Sequence, residues 1–473
     1  MHLSGVERLR RQLLVDTVRN GLNLPFYQAR WPAVDLTEAE IVEGFSALPI
    51  IDKADIIYHQ MDLFRPGEAN CYRVSHTSGT TGAPLYRLRS LRDVQFVGRF
   101  VTALTRDRIS RRGWFSLSTD QAPLAHRSAI PYPTGSPVIR CSIWHRNHFS
   151  RFVELMESTN EVAGISGRVR ELLLTSHEFL MLTSVLAERG LVPRERFVID
   201  TAWIFGGFVS QPTMERLSEF WDPVAIVDTY SMCEVLGSAR SCMRCGWYHF
   251  GLFAFPEVVD AVTEEPLFEG EGILVLSELF PFVRDHPLIR YWTGDLVEVT
   301  QSDCDKSNIS IRYLGRVPMR RGRVIRQPGF FAESDASEAV MMGEPPGLPH
   351  IVVRPVPLIN LLNSIDAVAR RPLDGLGGGI RDPLRLGRPR FSINVGSGSQ
   401  PAVELRVLCE RSCSPTDRNN LSRKVGTEIL RQNPELRRFV SAGRVRLEVT
   451  IESVGTGEDA APPGTEGDGG ARH

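Results

Sequence analysis

The chain has 473 residues, 42% of them hydrophobic and 23% charged, enough for two or three domains with ample core and ordinary for a soluble globular protein. A net charge of −1 offers no basic surface to nucleic acid, and no apolar run approaches the roughly 18 residues of a membrane span, so no nucleic acid and no membrane are expected as partners. Lysine occurs only at Lys53, Lys306 and Lys424, and eight cysteines in so long a chain do not make a disulfide framework, which points to metal binding or free thiols in a cytoplasmic protein.

Val6, Leu9 and Leu13 are spaced as on an amphipathic helix, with Glu7 and Asp16 among the arginines, unlike a signal or transit peptide. Residues 1–70 read as helices joined by loops. A β-prone run at 71–75 leads into Thr77, Ser78, Gly79, Thr80, Thr81, Gly82, Ala83 and Pro84. Glycines there permit positive φ and close backbone approach, and hydroxyls with consecutive N–H groups make an anion-binding concavity. The stretch is a phosphate cradle or a flexible surface loop; it lacks the Gly-Lys-Ser/Thr ending of the Walker type.

Apolar spacing predicts helices over 91–104 and 149–157, with Trp114, Phe115, Tyr132 and Trp144 on short strands or pocket walls between them. Further on, the pattern predicts a strand at 162–165, a helix over 168–189, strand material at 197–199 and 203–205, a helix at 212–221 and a strand at 224–227. This alternation predicts an α/β domain with a largely parallel sheet. Residues 271–314 turn strand-rich, and 344–390, rich in Pro, Gly and Arg, read as a long loop or insertion. A small α+β unit follows at 391–452, with a strand at 404–408, a helix capped near Ser414 and running to Arg431, and a strand at 445–449. The tail 455–473 has the composition of a disordered segment.

The stretch from Thr77 to Pro84 resembles the signature loop of the adenylate-forming superfamily, which comprises acyl-CoA synthetases, aryl-CoA ligases and adenylation domains. Three further landmarks follow in that family's order: Gly206-Gly207 with Tyr230 and Glu234, then Arg290-Tyr291-Trp292-Thr293-Gly294-Asp295, then Gly315-Arg316. The segment 48–55 resembles one upstream of the loop in the phenylacetate-CoA ligase branch. The resemblance implies an α/β fold: a large N-terminal adenylate-forming domain, 1–316, with parallel sheets and a small β-rich subdomain. A small α+β C-terminal domain, 317–454, would follow, carrying the insertion 344–390. The implied activity is ATP-dependent activation of a carboxylic acid as an acyl-adenylate, with transfer to a thiol of CoA or an acyl carrier protein. A homodimer is compatible with it.

In that reading Thr77, Ser78, Gly79, Thr80, Thr81 and Gly82 cradle the phosphates of ATP, and Thr80, Glu234 and Arg316 carry catalysis. Gly206 and Gly207 let backbone approach adenine, Tyr230 stacks on it, Glu234 holds Mg²⁺ and Asp295 takes the ribose hydroxyls, with Arg316 touching ribose or phosphate. Trp144, Phe205 and Phe208 near the expected acyl pocket lean toward an aryl or bulky acid, although aromatics are also ordinary core.

Cys242, Cys245 and His249, with Cys304 from a polar loop, form the ligand set of a closed tetrahedral site for structural Zn²⁺; free thiols and a core histidine are the other reading. Some members of the branch bind zinc there. Three features depart from the family. The region 451–457 lacks the C-terminal lysine that reaches the acyl phosphate, Val317-Pro318-Met319 replaces the acidic hinge, and Ala83 replaces a loop lysine. Lys424 falls within a predicted helix. Two other functions therefore stand beside the thiol-acylating ligase: transfer to an amine, hydroxyl or other non-thiol nucleophile, and a catalytically degenerate nucleotide-binding scaffold.

Overall fold

The computed structural model describes residues 5–31, 37–65, 71–76, 85–109, 114–119, 136–162, 164–301, 304, 309–317, 319–320, 323–324, 340–343, 349–376, 378–396, 401–410 and 412–454. Strands β1 (Cys71–His76) and β2 (Tyr86–Ser90) form an antiparallel hairpin in which His76 pairs with Tyr86. The 77–84 segment, Tyr132, Pro318 and the tail 455–473 lie outside the described residues.

One sheet dominates. In chain order its strands are β3 (Trp114–Ser118), β4 (Val138–Arg140), β5 (Thr159–Val162), β6 (Ile165–Thr175), β7 (Thr201–Phe205) and β8 (Ala225–Ser231). They continue with β9 (Ser238–Ser241), β10 (Tyr248–Phe250), β11 (Ala254–Val259), β12 (Gly270–Glu278), β13 (Tyr291–Thr300) and β14 (Ser310–Arg316). Their spatial order is 11-12-13-14-10-9-8-7-6-3-4, with β5 added antiparallel on β6. From β4 to β8 the neighbours are parallel, and from β8 to β11 every pair is antiparallel. The strand-rich sequence after 271 therefore continues the parallel sheet by way of β9 and β10.

The helix expected over 168–189 begins only at Ser176, because 165–175 is strand β6. Val169, Leu172, Leu173 and Leu174 are all buried, the near-continuous apolar run of a strand covered on both faces, which periodicity alone does not separate from helix. Thr175 then starts the helix Ser176–Glu188 with a capping box: its hydroxyl accepts the Glu178 N–H while the Glu178 carboxylate accepts the Thr175 N–H. At 197–199 no strand forms, though Phe197 and Ile199 are buried.

Helices Arg146–Glu157, Ser176–Glu188 and Gln211–Trp221 cover the parallel half with Phe149, Phe152, Leu182, Leu217 and Trp221. On the antiparallel half, Leu14 and Val18 of the helix Gly5–Gly21 and Tyr27 of Pro25–Gln28 pack with Leu274, Leu276 and Val297. The Tyr27 hydroxyl donates to the Pro287 carbonyl at 3.0 Å and accepts from the Ile289 N–H at 2.8 Å, fixing the approach to β13.

A further core gathers the C-terminal residues around Leu358, Leu362, Val403, Leu405, Val425 and Ile429. Strand Phe391–Gly396 pairs antiparallel and Arg446–Ser453 pairs parallel with Ala402–Cys409, and the helix Pro415–Gln432 packs on them. The stretch 344–390 differs from the long loop expected of it. Pro355 at the first helical position suits a helix start, and Pro355–Asn363 is a helix that buries Leu358, Ile359, Leu361 and Leu362. Leu373, Ile380 and Leu386 then pack in the core of the parallel half, where Ser184 donates to Asp382 at 3.3 Å. No described helix is long and apolar enough to cross a membrane.

Candidate functional site

Asp295 and Arg316 face each other across β13 and β14 as a register pair, so the sheet itself brings carboxylate and guanidinium together. Arg316 Nε donates to Asp295 Oδ1 at 2.9 Å, and the Tyr230 hydroxyl donates to Oδ2 at 2.5 Å. Asp295 is 1% exposed. Its own N–H donates to Thr293 Oγ1, whose hydroxyl donates to the Leu274 carbonyl. Gly294 makes the turn possible: it adopts φ +75°, and a Cβ there would stand 3.4 Å from the Val317 carbonyl oxygen. Each carboxylate oxygen keeps a further lone-pair direction, so Asp295 still has acceptor capacity for a hydroxyl.

Tyr230, on β8, lies 6.1 Å from Phe250 and 6.4 Å from Tyr313 between ring centroids. Burial, then the Asp295 carboxylate, raises its phenol well above the ordinary range, so it stays a neutral donor. Asp295 in turn holds Arg316 firmly cationic. Glu234 sits in the β8–β9 connection, near enough to Arg316 to reinforce its charge, and among the described residues no group donates a hydrogen bond to its carboxylate. A carboxylate is the donor a hard cation takes.

Gly206 and Gly207 follow β7 at the carboxyl end of the parallel strands, where open α/β sheets bind ligands. Gly206 has φ +79°, and the Gly207 carbonyl accepts from Ser176 Oγ at 3.0 Å. Trp144 stacks on His177, centroids 5.5 Å apart, and donates through Nε1 to Glu178 at 3.0 Å. Phe205 ends β7, and its carbonyl takes a 3.4 Å contact from the same Ser176 hydroxyl. Phe208 packs with the C-terminal core and lies 6.0 Å from Tyr313, the ring that neighbours Tyr230. Arg290, part of the third landmark, is structural. It is buried, pairs with Glu257 at 3.1 Å and donates to the Ser46 and Leu48 carbonyls.

Away from this cluster, Cys242, Cys245, His249 and Cys304 bring their ligand atoms within 4.8 Å of one another. Cys242 and Cys245 occupy the tight β9–β10 turn, closed by Gly246 N–H to the Cys242 carbonyl at 2.8 Å. Cys304 comes from the β13–β14 connection, its sulfur 3.3 Å from that of Cys242, and His249 Nε2 lies 3.2 Å from Cys245 Sγ. His249 Nδ1 is 3.0 Å from Ser310 Oγ, the kind of outer contact that orients a ligating imidazole. The Cys245 N–H, ahead of burial's opposing effect, brings the Cys242 thiol down to about 6, while hydrogen bonding to Cys242 lifts Cys304 to about 11.

No protein-family model matches the chain. Over 138 residues it is 35% identical to phenylacetate-coenzyme A ligase of Thermus thermophilus, a stretch that spans 28% of this chain and 30% of that enzyme. Across 98% of its length it superposes on 90% of 2-hydroxyisobutyryl-CoA ligase in an open conformation with 2-HIB-AMP and CoA, at 16% identity and a TM-score of 0.60. The same ligase in its postadenylation state gives 0.59 at 14% identity, covering 94% of this chain and 86% of that one. The chain has the adenylate-forming ligase fold. Within this adenylate-forming fold, Tyr230, Asp295 and Arg316 are in contact and Glu234 lies near Arg316, while Thr77, Ser78, Gly79, Thr80, Thr81 and Gly82 lie outside the described residues. Sequence reasoning missed Arg87 and Glu278, which are buried and joined at 2.8 Å beside Glu234. The one signal for them is alternation: in the strand after the loop, Arg87 and Arg89 occupy the same face.

Proposed function

We propose that the chain activates a carboxylic acid with ATP as an acyl-adenylate and passes the acyl group to a thiol, of CoA or of an acyl carrier protein. The observation that carries this is Asp295, buried between Tyr230 and Arg316 and close to a Glu234 carboxylate that no described residue pairs, in an adenylate-forming fold. The match to a phenylacetate-coenzyme A ligase supports it. The acid's carboxylate oxygen attacks the α-phosphorus, the bond to the bridging oxygen breaks, and pyrophosphate leaves. The thiolate sulfur then attacks the acyl carbon, and AMP leaves. Asp295 orients the ribose through its spare acceptor capacity, Tyr230 and Gly206-Gly207 receive adenine, and Arg316 meets charge developing on phosphate; positioning and preorganised charge do the catalysis. Magnesium held by Glu234 supplies neutralisation of the triphosphate.

The usual lysine has no counterpart in the strand Arg446–Ser453, and Lys424 is exposed on the helix Pro415–Gln432, one turn before Glu428. Arg316 and the 77–82 donors therefore stand in for it. The same absence favours, as a second reading, a nucleotide-binding scaffold without turnover. Trp144 beside His177 favours an aryl or bulky acid. Zinc on three thiolates and one imidazole at Cys242, Cys245, Cys304 and His249 is structural, because four protein ligands leave no open position for catalytic water.

Incubating the protein with ATP, magnesium, a panel of acids and either CoA or hydroxylamine, followed by mass spectrometry, tests the function. An acyl thioester is the expected product. Hydroxamate without CoA thioester shows adenylation and points to a carrier-protein thiol or a non-thiol nucleophile as acceptor, and neither product with any acid points to the scaffold.

A further inference from the structure

Arg87 lies on β2, the strand that leaves the 77–84 segment, and its side chain is fully buried. A buried guanidinium is tolerated only when its N–H groups are used. Nε donates to the Glu234 carbonyl at 2.6 Å, Nη2 donates to Glu278 Oε2 at 2.8 Å and to the His286 carbonyl at 2.9 Å, and Nη1 donates to His286 Nδ1. Glu278, at the end of β12, accepts as well from Arg89 at 2.6 Å, from the Leu288 N–H at 2.9 Å and from the Leu236 N–H at 2.6 Å. Burial, then Arg87's charge, keeps His286 neutral and its Nδ1 able to accept.

One ion pair thus holds the carbonyl of Glu234 and the amide of Leu236, two residues apart in the β8–β9 connection. We infer that Arg87 and Glu278 are positioning residues that set where the Glu234 carboxylate stands and tie it to the strand leaving the 77–84 segment. The inference rests on the reading of Glu234 as the magnesium-binding carboxylate. With the two consecutive peptide groups that follow its Cα pinned, Glu234 is held at the start of that stretch, and its carboxylate is limited to what its side-chain rotamers reach from there. Strand β2 and the metal-binding carboxylate then behave as one rigid body, which is what positioning a triphosphate demands.

Removing Glu278 alone would leave Arg87 fully buried without a carboxylate, so the test replaces both, Arg87→Met with Glu278→Leu, apolar side chains of related length, and leaves Arg89, 12% exposed, as the charge that can turn to solvent. Arg87→Lys is the second variant; it keeps the charge pair and loses the Nε donor to Glu234, and it carries the same readout if the double variant does not fold. Calorimetry measures ATP affinity with magnesium and in EDTA, and thermal melting checks folding. In the wild type magnesium is expected to tighten ATP binding. In the folded variants affinity in EDTA should stay within about threefold of wild type, and the tightening by magnesium should shrink by about tenfold or more, as expected when the carboxylate that takes the cation is no longer held in place. A folded variant that keeps the full magnesium effect overturns the inference and leaves the pair a plain fold contact. A wild type without any magnesium effect overturns the Glu234 reading itself.

Discussion

At Asp295 a carboxylate meets two protein donors, Tyr230 and Arg316, while keeping room for a third. Asp295→Asn retains one oxygen acceptor and removes the charge, so ATP should bind at least about tenfold more weakly by calorimetry, the equivalent of one charge-assisted hydrogen bond at roughly 1.5–3 kcal/mol. Unchanged affinity in a folded variant would remove the ribose assignment. Asp228 offers a pH test. Burial lifts it from 3.8 to about 6, against the hydrogen bond from Tyr248 at 2.5 Å. A raised acid favours the folded state while protonated, so its contribution is full below about 3.8 and is lost as pH climbs through about 6. Asp228→Asn should therefore lose less stability than wild type across that interval, as read by urea denaturation at a series of pH values. Tyr230, Asp295 and Arg316, which meet in the structure, lie in motifs that the sequence already displays. Arg87 was not legible there, because an arginine in a strand reads as solvated until its burial is seen.

Among the elements, the β9–β10 hairpin depends on what holds four ligand atoms within 4.8 Å. If that is zinc, purified protein contains about one ion per chain, since the site has four ligands and closes on one metal. Cys245→Ser should then lower the melting temperature while leaving the preferred acid unchanged, because metal binding couples to folding rather than to turnover. Elemental analysis without zinc, in protein never exposed to chelator, would return the cysteines to free thiols. Spacing placed Cys242, Cys245 and His249 in sequence, and the β10–β14 pairing explains how Cys304 reaches them. Element type was harder to read where burial is complete. In β6 the run Leu172, Leu173, Leu174 has no polar face to reveal a period of two, and only the Thr175 cap marks where helix begins.

On the scale of the whole molecule, hydrogen bonds and an ion pair join the residues after 353 to the rest. Asn363 donates to Ser210 at 2.6 Å, the Gln211 N–H donates to Asn360 at 2.9 Å, and Arg354 pairs with Glu271 at 2.5 Å. Leu373, Ile380 and Leu386 complete a core that begins with β3, so composition rich in Pro, Gly and Arg concealed packing residues at wide intervals. Leu386→Ala should destabilise by roughly 2–5 kcal/mol in urea, the range for a buried leucine, and a loss under about 1 kcal/mol would show that the joint is not part of the core. The α/β class and the C-terminal strands were legible from alternation and caps, whereas the joining of parallel and antiparallel strands into one sheet depends on long-range pairing that no local pattern records. Under the proposed function this molecule adenylates an acid without a lysine in the strand Arg446–Ser453. Isotope exchange between pyrophosphate and ATP, driven by a panel of aryl and bulky acids and repeated with Glu234→Gln and Lys424→Ala, measures that step alone. The expected result is acid-dependent exchange that Glu234→Gln reduces by about a hundredfold or more and Lys424→Ala leaves within about threefold; no exchange with any acid, or exchange abolished by Lys424→Ala in a folded protein, would contradict it.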